Sequence, residues 1–373
     1  MKRTPWLTIP ALLVVLCGCT QNVPSGSRLA EDVVGQLDST IEAAMEAMEL
    51  PGAVVAVWIP GRGDYVAVKG VANIETGTRR AAGDVFRIGS ITKAFVATAA
   101  LLLVERGKLD LGDPVSRYFP DFPNAEDIAV GDLLCMRSGI PDAVDEELLA
   151  LLYQNPLTRL SPQELIARSA SWPERFEKPG WKVQYCNTNY VLLGEILRQV
   201  TGSEVDQIVH DLVVGPLGLK RTAYPAGSTL PGELHGYGWD SERKAFDDLT
   251  ALNPLWAGAA GAMTSDIHDL RVFARALYEG ALLKPTTQSL RLEANPLDGM
   301  PDWIAYGQGI VRLGDFWGHN GTIFGFSTEM WYLPHDDAVV VISVNRLDLD
   351  DQSYAFPLFV EVARILFPDH VAW

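Results

Sequence analysis

Cysteine and histidine are scarce in this chain, with four Cys and six His among 373 residues. Cys17 and Cys19 fall in the first twenty residues, which leaves only Cys135 and Cys186 for the body of the protein. That is too few for a disulfide framework, and two buried thiols are expected instead. No CxxC or HExxH pattern occurs and the histidines are scattered. The spacing therefore supports no metal site, and no cofactor is expected. Basic residues are also few, 30 against 47 acidic ones, giving a formal net charge of −17 with no run of Lys or Arg. Nucleic acid is excluded as a natural partner. A membrane-length apolar run is missing too, because the stretch 6–16 falls well short of the roughly 20 residues a spanning helix requires. No internal repeat or low-complexity tract is present.

What the chain does have begins with Lys2 and Arg3, the apolar stretch 6–16, and then Leu16-Cys17-Gly18-Cys19. A basic start, a short apolar segment and small residues form an export signal. Its ending resembles the bacterial lipobox, so 1–19 is read as a lipoprotein signal peptide with Cys19 as the lipidation site. Residues 20–27, with Pro24, Ser25 and Gly26, form a polar tether. The expected location is extracytoplasmic, with the lipid anchor holding the protein at the cell membrane; if Cys19 is not acylated, the protein is secreted. A monomer is expected.

With 48% apolar and 21% charged residues, the remainder is long enough to bury a sizeable core. Residues 29–50 carry apolar positions at helical spacing and stop at Pro51-Gly52. Strand-like segments at 53–59 and 65–72 flank Pro60-Gly61-Arg62-Gly63, which reads as a hairpin. A long apolar helix runs from Ser90 to Arg106 and ends at Gly107. The stretch 110–250 is mostly helical with Pro/Gly-punctuated loops. Strand character returns at 309–313, 323–333 and 338–344, and a helix over 355–366 closes the chain. These elements predict an α+β fold whose sheet is assembled from both chain ends around a helical insertion. The corresponding units are a sheet domain of 28–89 and 255–373 and a mainly helical domain of 90–254, which together form one catalytic unit over 28–370.

Three short motifs carry the chemistry. Ser90-Ile91-Thr92-Lys93 opens the apolar helix, and residues three apart on a helix are neighbours, so the amine can reach the hydroxyl. The Ser90 N–H at the helix start is free to bind a developing oxyanion. Ser241-Glu242-Arg243-Lys244 has the same letters but sits in a charged loop. Half-neutralising a lysine at pH 7 costs roughly 4 kcal/mol. Either burial supplies most of that, or Lys93 stays cationic and a neighbouring group accepts the proton. Tyr185-Cys186-Asn187, following Pro179-Gly180 and preceding an apolar helix, supplies a phenol and an amide. Tyr153-Gln154-Asn155 and Lys178-Pro179-Gly180 are look-alikes in less suitable settings. The third motif is His319-Asn320-Gly321-Thr322, where Gly321 permits close backbone approach and the Thr322 N–H can be a second oxyanion donor.

Taken in this order and context, the motifs resemble those of the penicillin-recognising serine hydrolases of the class C β-lactamase group. The likeness is greatest to the secreted, actinomycete-type serine D-Ala-D-Ala carboxypeptidases. It is carried by FRIGSITKAF, ERGKLDLGDPVSRYFP, RSGIPD, YCNTNY, GAAGAMTSDIHDLRVFARAL, YGQGIVR and GHNGTIFGF, over about residues 85–330. The resemblance implies a five-stranded antiparallel sheet flanked by N- and C-terminal helices, plus an inserted all-helical domain. It makes Ser90 the nucleophile, Lys93 its activator and Tyr185 the acid/base group, with the Ser90 and Thr322 N–H groups as the oxyanion hole. Asn187 would hold the acyl-side amide, Trp256 would line the cleft, and His319 would donate to substrate or leaving group in place of the commoner lysine. Asn320, Gly321 and Arg312 would adjoin the substrate, although Arg312 stands one strand position from its place in the family. The implied activity is hydrolysis through an acyl-enzyme, foremost D-alanyl-D-alanine carboxypeptidase. An esterase or β-lactamase with the same centre is the alternative, and a non-catalytic β-lactam-binding lipoprotein is the third reading. The expected partner is a small peptide, ester or β-lactam.

Overall fold

A computed structural model describes residues 28–175, 178–348 and 353–371. The signal peptide, the tether and Cys19 lie outside the described residues. The core is one antiparallel sheet of eight strands. Its order from one edge is Gly63–Gly70, Gly52–Ile59, Ala338–Val344, Phe326–Leu333, Phe316–Ile323, Val311–Leu313, Ile304–Tyr306 and Asn295–Pro296. Five of these are long, seven or eight residues each. The expectation of five strands is corrected by the other three, which have only two or three residues each. Strands that short contain less than two periods of alternation and leave almost no trace in a sequence.

A second correction concerns 323–333. The chain there is not one strand but the second arm of a hairpin, with Phe316–Ile323 pairing antiparallel to Phe326–Leu333 and Ile323 opposite Phe326. Gly325 turns the corner at φ 79°, a conformation that favours glycine. Aromatic residues on both sides of the turn hide it within an apparently continuous apolar run.

The strands Gly52–Ile59, Phe326–Leu333 and Ala338–Val344 are buried at every position. Such uniform burial requires cover on both faces. The helices Glu31–Ala47 and Ala355–Leu366 contact one another, and the latter lies on Phe326–Leu333 and Ala338–Val344, where Phe359 meets Trp331. The helix Ile267–Glu279 also contacts these two strands. The first and last of the long strands are joined directly, with Ala53 opposite Val344 and Trp58 opposite Val339. Helices dominate the middle of the chain, apart from the small hairpin Tyr237–Asp240 with Ala245–Asp248.

One buried carboxyl lies in this sheet. Glu329 is fully buried and accepts hydrogen bonds from Trp331 Nε1 at 2.7 Å and Ser353 Oγ at 3.3 Å. Burial pushes its pKa from 4.5 up to about 8. The folded state therefore holds a proton that the unfolded state has already lost above pH 4.5. This group's contribution to stability is complete below about pH 4.5 and declines as pH rises through 8. Chemical denaturation of Glu329→Gln is expected to lack that part of the loss between pH 5 and 8. An unchanged pH profile would show that the carboxyl is ionised in the fold.

Candidate active site

The serine is placed by a tight three-residue turn, Gly89–Ile91, that runs into the helix Thr92–Glu105. That helix is buried from Thr92 to Leu103, which explains why its sequence is apolar on every side. The approach to it is fixed by Phe86 and Arg87 pairing with Ser265 and Thr264, and by the Ile88 N–H donating to Met263 O at 3.0 Å. The Arg87 guanidinium is buried and donates to the carbonyls of Thr250 at 2.6 Å, Ser228 at 2.9 Å, Leu249 at 3.4 Å and Phe324 at 3.5 Å. Burial lowers its pKa to about 10, so it remains a cation at neutral pH and ties four loop carbonyls to the residue three positions before Ser90.

Strand Phe316–Ile323 pairs on one side with Val311–Leu313 only as far as Gly318, and beyond that point its edge meets the turn at Gly89. Two glycines make this crossing. A Cβ at Gly321 would lie 1.9 Å from Ile88 O and 3.0 Å from Ser90 N. A Cβ at Gly89 would lie 2.8 Å from Thr322 N, and Gly89 also needs a φ of 49°. The obstructing atoms are backbone, so neither position admits a side chain. The contact brings the Ser90 and Thr322 amides to the same place, the arrangement an oxyanion requires.

Lys93 is wholly buried. Its Nζ lies 2.8 Å from Ser90 Oγ, 2.9 Å from Asn187 Oδ1 and 2.7 Å from Ala260 O. Three acceptors match the three N–H donors of an ammonium, while a free amine there could accept the serine proton. The Tyr185 ring centroid is 4.8 Å from the same nitrogen. Asn187 begins the helix Asn187–Thr201. Its backbone N and its Nδ2 donate to Asp142 Oδ2 at 2.9 and 3.0 Å, and the Val144 N–H donates to the other Asp142 oxygen at 3.1 Å. Asp142 thus fixes which way the Asn187 amide faces. Cys186, the residue before it, is a buried free thiol like Cys135, and burial raises these thiols to about 12 and about 11 respectively.

His319 differs from its expected role. Its ring is buried and its Nδ1 lies 2.6 Å from Asn320 O, so Nδ1 carries the proton and Nε2 accepts from the Tyr306 hydroxyl at 3.2 Å. Burial, together with the positive charge of Lys93, lowers its pKa to about 3. The imidazole is therefore neutral at any ordinary pH. It stands behind Tyr185, with ring centroids 6.3 Å apart, and Tyr306 meets Tyr185 edge-on at 6.0 Å. The expectation that His319 donates directly to substrate is corrected to a place in the wall that orients Tyr185, because Tyr306 occupies the nitrogen that would have donated.

A cleft of about 310 Å³ opens over Ser90, lined among others by Tyr185, Asn187, Trp256, Thr322 and Phe324. Trp256 is buried, sits 6.3 Å from Phe324, and its Nε1 has no hydrogen-bond partner among the described residues. Asn320 and Gly321 are not among the lining residues. Asn320 is opposite Glu329 in register, on the strand face away from His319. Arg312 is corrected outright. It donates to Asp302 O at 3.3 Å and lines a separate depression with Trp317 and His335, so the one-residue offset does turn it from the cleft. Of the look-alike motifs, Tyr153 bonds Asp247, and Ser241 lies in the turn of the small hairpin. Sequence reasoning missed the roles of Asp142, Tyr306, Arg87 and the Ala260 carbonyl. Asp142 and Tyr306 do fall within RSGIPD and YGQGIVR.

A hydroxyl, a buried amine and a phenol converging beside two backbone amides on this α+β fold define a class, the active-serine β-lactamase and penicillin-binding-protein superfamily. A model of the Beta-lactamase family matches residues 37–363, and the chain belongs to that family. It is 26% identical over 326 residues to Protein flp of Staphylococcus aureus (strain MW2), an alignment covering 85% of this chain and 64% of that protein's length. Among solved structures, it is similar to a D-stereospecific amidohydrolase from Streptomyces sp., at TM-score 0.79 and 28% identity, covering 89% of this chain and 98% of the other. It is also similar to the D-amino acid amidase from Ochrobactrum anthropi SV3 complexed with L-phenylalanine amide, at TM-score 0.77 and 27% identity, covering 90% and 97%.

Proposed function

We propose that the protein is a serine hydrolase that cleaves the carbonyl-side amide of a D-amino acid through an acyl-enzyme at Ser90. The observation that carries the reading is the 2.8 Å contact between Lys93 Nζ and Ser90 Oγ in a cleft walled by Tyr185 and Thr322. Ser90 Oγ attacks the carbonyl while the coupled Lys93–Tyr185 pair takes its proton. The tetrahedral oxyanion is held by the Ser90 and Thr322 N–H groups. Collapse breaks the C–N bond, the proton passes to the departing amine, and water then hydrolyses the ester.

Two features favour an amide bearing a free ammonium over a peptide ending in D-Ala-D-Ala. No Arg, Lys or His is among the described residues lining the cleft, so a terminal carboxylate has no cationic anchor on its walls. Asp142 does line it, and among the described residues its carboxylate accepts from the neutral N–H groups of Val144 and Asn187. Such a carboxylate suits an α-ammonium. The names of the Streptomyces and Ochrobactrum relatives point the same way. The test compares ammonia release from D-alaninamide with D-Ala release from a diacyl-D-Ala-D-Ala peptide. The amide is expected to be the faster substrate, with Asp142→Asn raising its KM by about tenfold or more and raising that of its N-acetyl derivative, which shares only the loss of Asn187 positioning, by less. Faster release of D-Ala would restore the carboxypeptidase reading. Hydrolysis of simple esters or β-lactams alone would favour the esterase or β-lactamase reading, and acylation without turnover would favour a sensor.

We place the enzyme outside the cytoplasm, tethered to the membrane through Cys19 and the polar 20–27 segment. The support is the leader sequence; among the described residues no helix is long and apolar enough to cross a membrane. Cys19→Ala is expected to abolish palmitate labelling and to move the protein from the membrane fraction to the soluble one. Labelling that survives would remove the anchor.

A further inference from the structure

We propose that His335, Asp336 and His370 form a binding site for a divalent cation of the zinc class. The three come from two separate parts of the fold. His335 and Asp336 lie in the turn between Phe326–Leu333 and Ala338–Val344, and His370 ends the short turn Pro368–His370 that follows the closing helix. The two histidines are 35 residues apart, which leaves no metal-ligand spacing to read and makes them look merely scattered.

The two histidine-to-carboxylate separations match those of a tetrahedral site, and three protein ligands leave one position for water. His335 Nδ1 lies 3.3 Å from Asp336 Oδ2, His370 Nε2 lies 3.5 Å from the same oxygen, and all three donor atoms lie within 4.8 Å of one another. Zinc bonds of about 2.0–2.1 Å at tetrahedral angles separate neighbouring donors by about 3.4 Å. The second observation is on the far side of the ring. His370 Nδ1 lies 2.7 Å from Asp315 Oδ2, in the turn before Phe316–Ile323. Histidines that ligate metals characteristically donate their other N–H to a carboxylate, and that bond leaves the Nε2 lone pair for the cation. Arg62 Nη1 lies 3.5 Å from Asp336 Oδ1, occupying the carboxylate oxygen that is not aimed at the histidines. Two neutral imidazoles, two carboxylates and one guanidinium sum to one negative charge, which a divalent ion complements. Two nitrogens and one oxygen suit zinc, whereas calcium and magnesium require oxygen ligands. His335 and His370 both line a depression of about 360 Å³ with Arg312 and Trp317, so water can reach the site and complete the shell. None of these residues lines the cleft over Ser90. The cation would staple the chain's C-terminal segment to two hairpin turns.

The rival occupant of the gap is a proton, as an imidazolium between Asp315 and Asp336, and the experiment separates the two. The untagged full chain is freed of metal with a chelator and titrated with Zn²⁺ by calorimetry and with Co²⁺ by visible absorption. The expected result is one Zn²⁺ per chain, tetrahedral Co²⁺ bands, and a thermal midpoint that rises with Zn²⁺. Combined His335→Ala and His370→Ala should weaken binding by at least about 100-fold, and Asp315→Asn by about 10- to 100-fold. Covalent labelling of Ser90 should be normal in each variant, which shows that it is folded. Failure of the wild-type chain to bind Zn²⁺, binding unchanged in the double variant, or displacement by equimolar Mg²⁺ would each overturn the site. Unchanged affinity in Asp315→Asn would remove the carboxylate–histidine relay.

Discussion

Ser90→Ala is expected to lower turnover by about 10⁴- to 10⁶-fold and to abolish the mass increment left by penicillin or by a slow amide substrate. The variant removes one atom from a site that is otherwise intact. The amides of residue 90 and Thr322 stay where the Gly89–Gly321 crossing puts them, and Lys93 keeps Asn187 Oδ1 and Ala260 O as acceptors. Substrate binding should therefore persist while covalent chemistry stops. Intact-protein mass spectrometry reads both, and an adduct on the alanine variant would place the nucleophile elsewhere.

Lys93→Met is expected to slow acylation by about 10²- to 10⁴-fold, the usual worth of a positioned general base. It should also destabilise the fold, because the methionine side chain donates to neither Asn187 Oδ1 nor Ala260 O. Each acceptor left unsatisfied out of water costs about 1–3 kcal/mol. A further readout separates charge from packing. His319 is depressed first by burial and next by the positive charge of Lys93, so its pKa should rise in Lys93→Met without reaching that of a free imidazole. An NMR titration of the ring tests this. An unmoved His319 resonance together with near-normal acylation would mean that Lys93 supplies neither charge nor base. Tyr185→Phe should not add its full effect to that of Lys93→Met, because in the proposed mechanism the two neighbouring groups act as one proton acceptor.

The site was legible in the sequence where its geometry is local. Ser90 and Lys93 are one helical turn apart, and Gly321 announces a close approach by its lack of a side chain. What stayed hidden depends on which distant chain comes near. Nothing in the letters at Asp142 says that it holds Asn187, and nothing around Tyr306 says that its hydroxyl will occupy His319 Nε2. Arg312 shows how the same limit produces an error, since a strand offset of one residue is invisible as chemistry and decisive as direction. In the fold, the long strands and the terminal helices were readable from runs of apolar residues. The hairpin at Phe324-Gly325 was not, because its turn is wrapped in aromatics, and the three edge strands were too short to show a period. The pairing of Gly52–Ile59 with Ala338–Val344 was expected only in outline, as a sheet assembled from both ends.

That pairing has a consequence for how the protein is made. The ribosome releases residues 52–59 early, yet their neighbour on the inner side of the sheet is the last of the described strands to be synthesised. The Ser90 turn likewise waits for Thr322, more than 200 residues further on, to bring its amide alongside. Contacts of such long sequence separation form slowly. The nascent chain is therefore held open for most of translation, and the sheet closes around the Ser90 turn only after residues 338–344 have emerged.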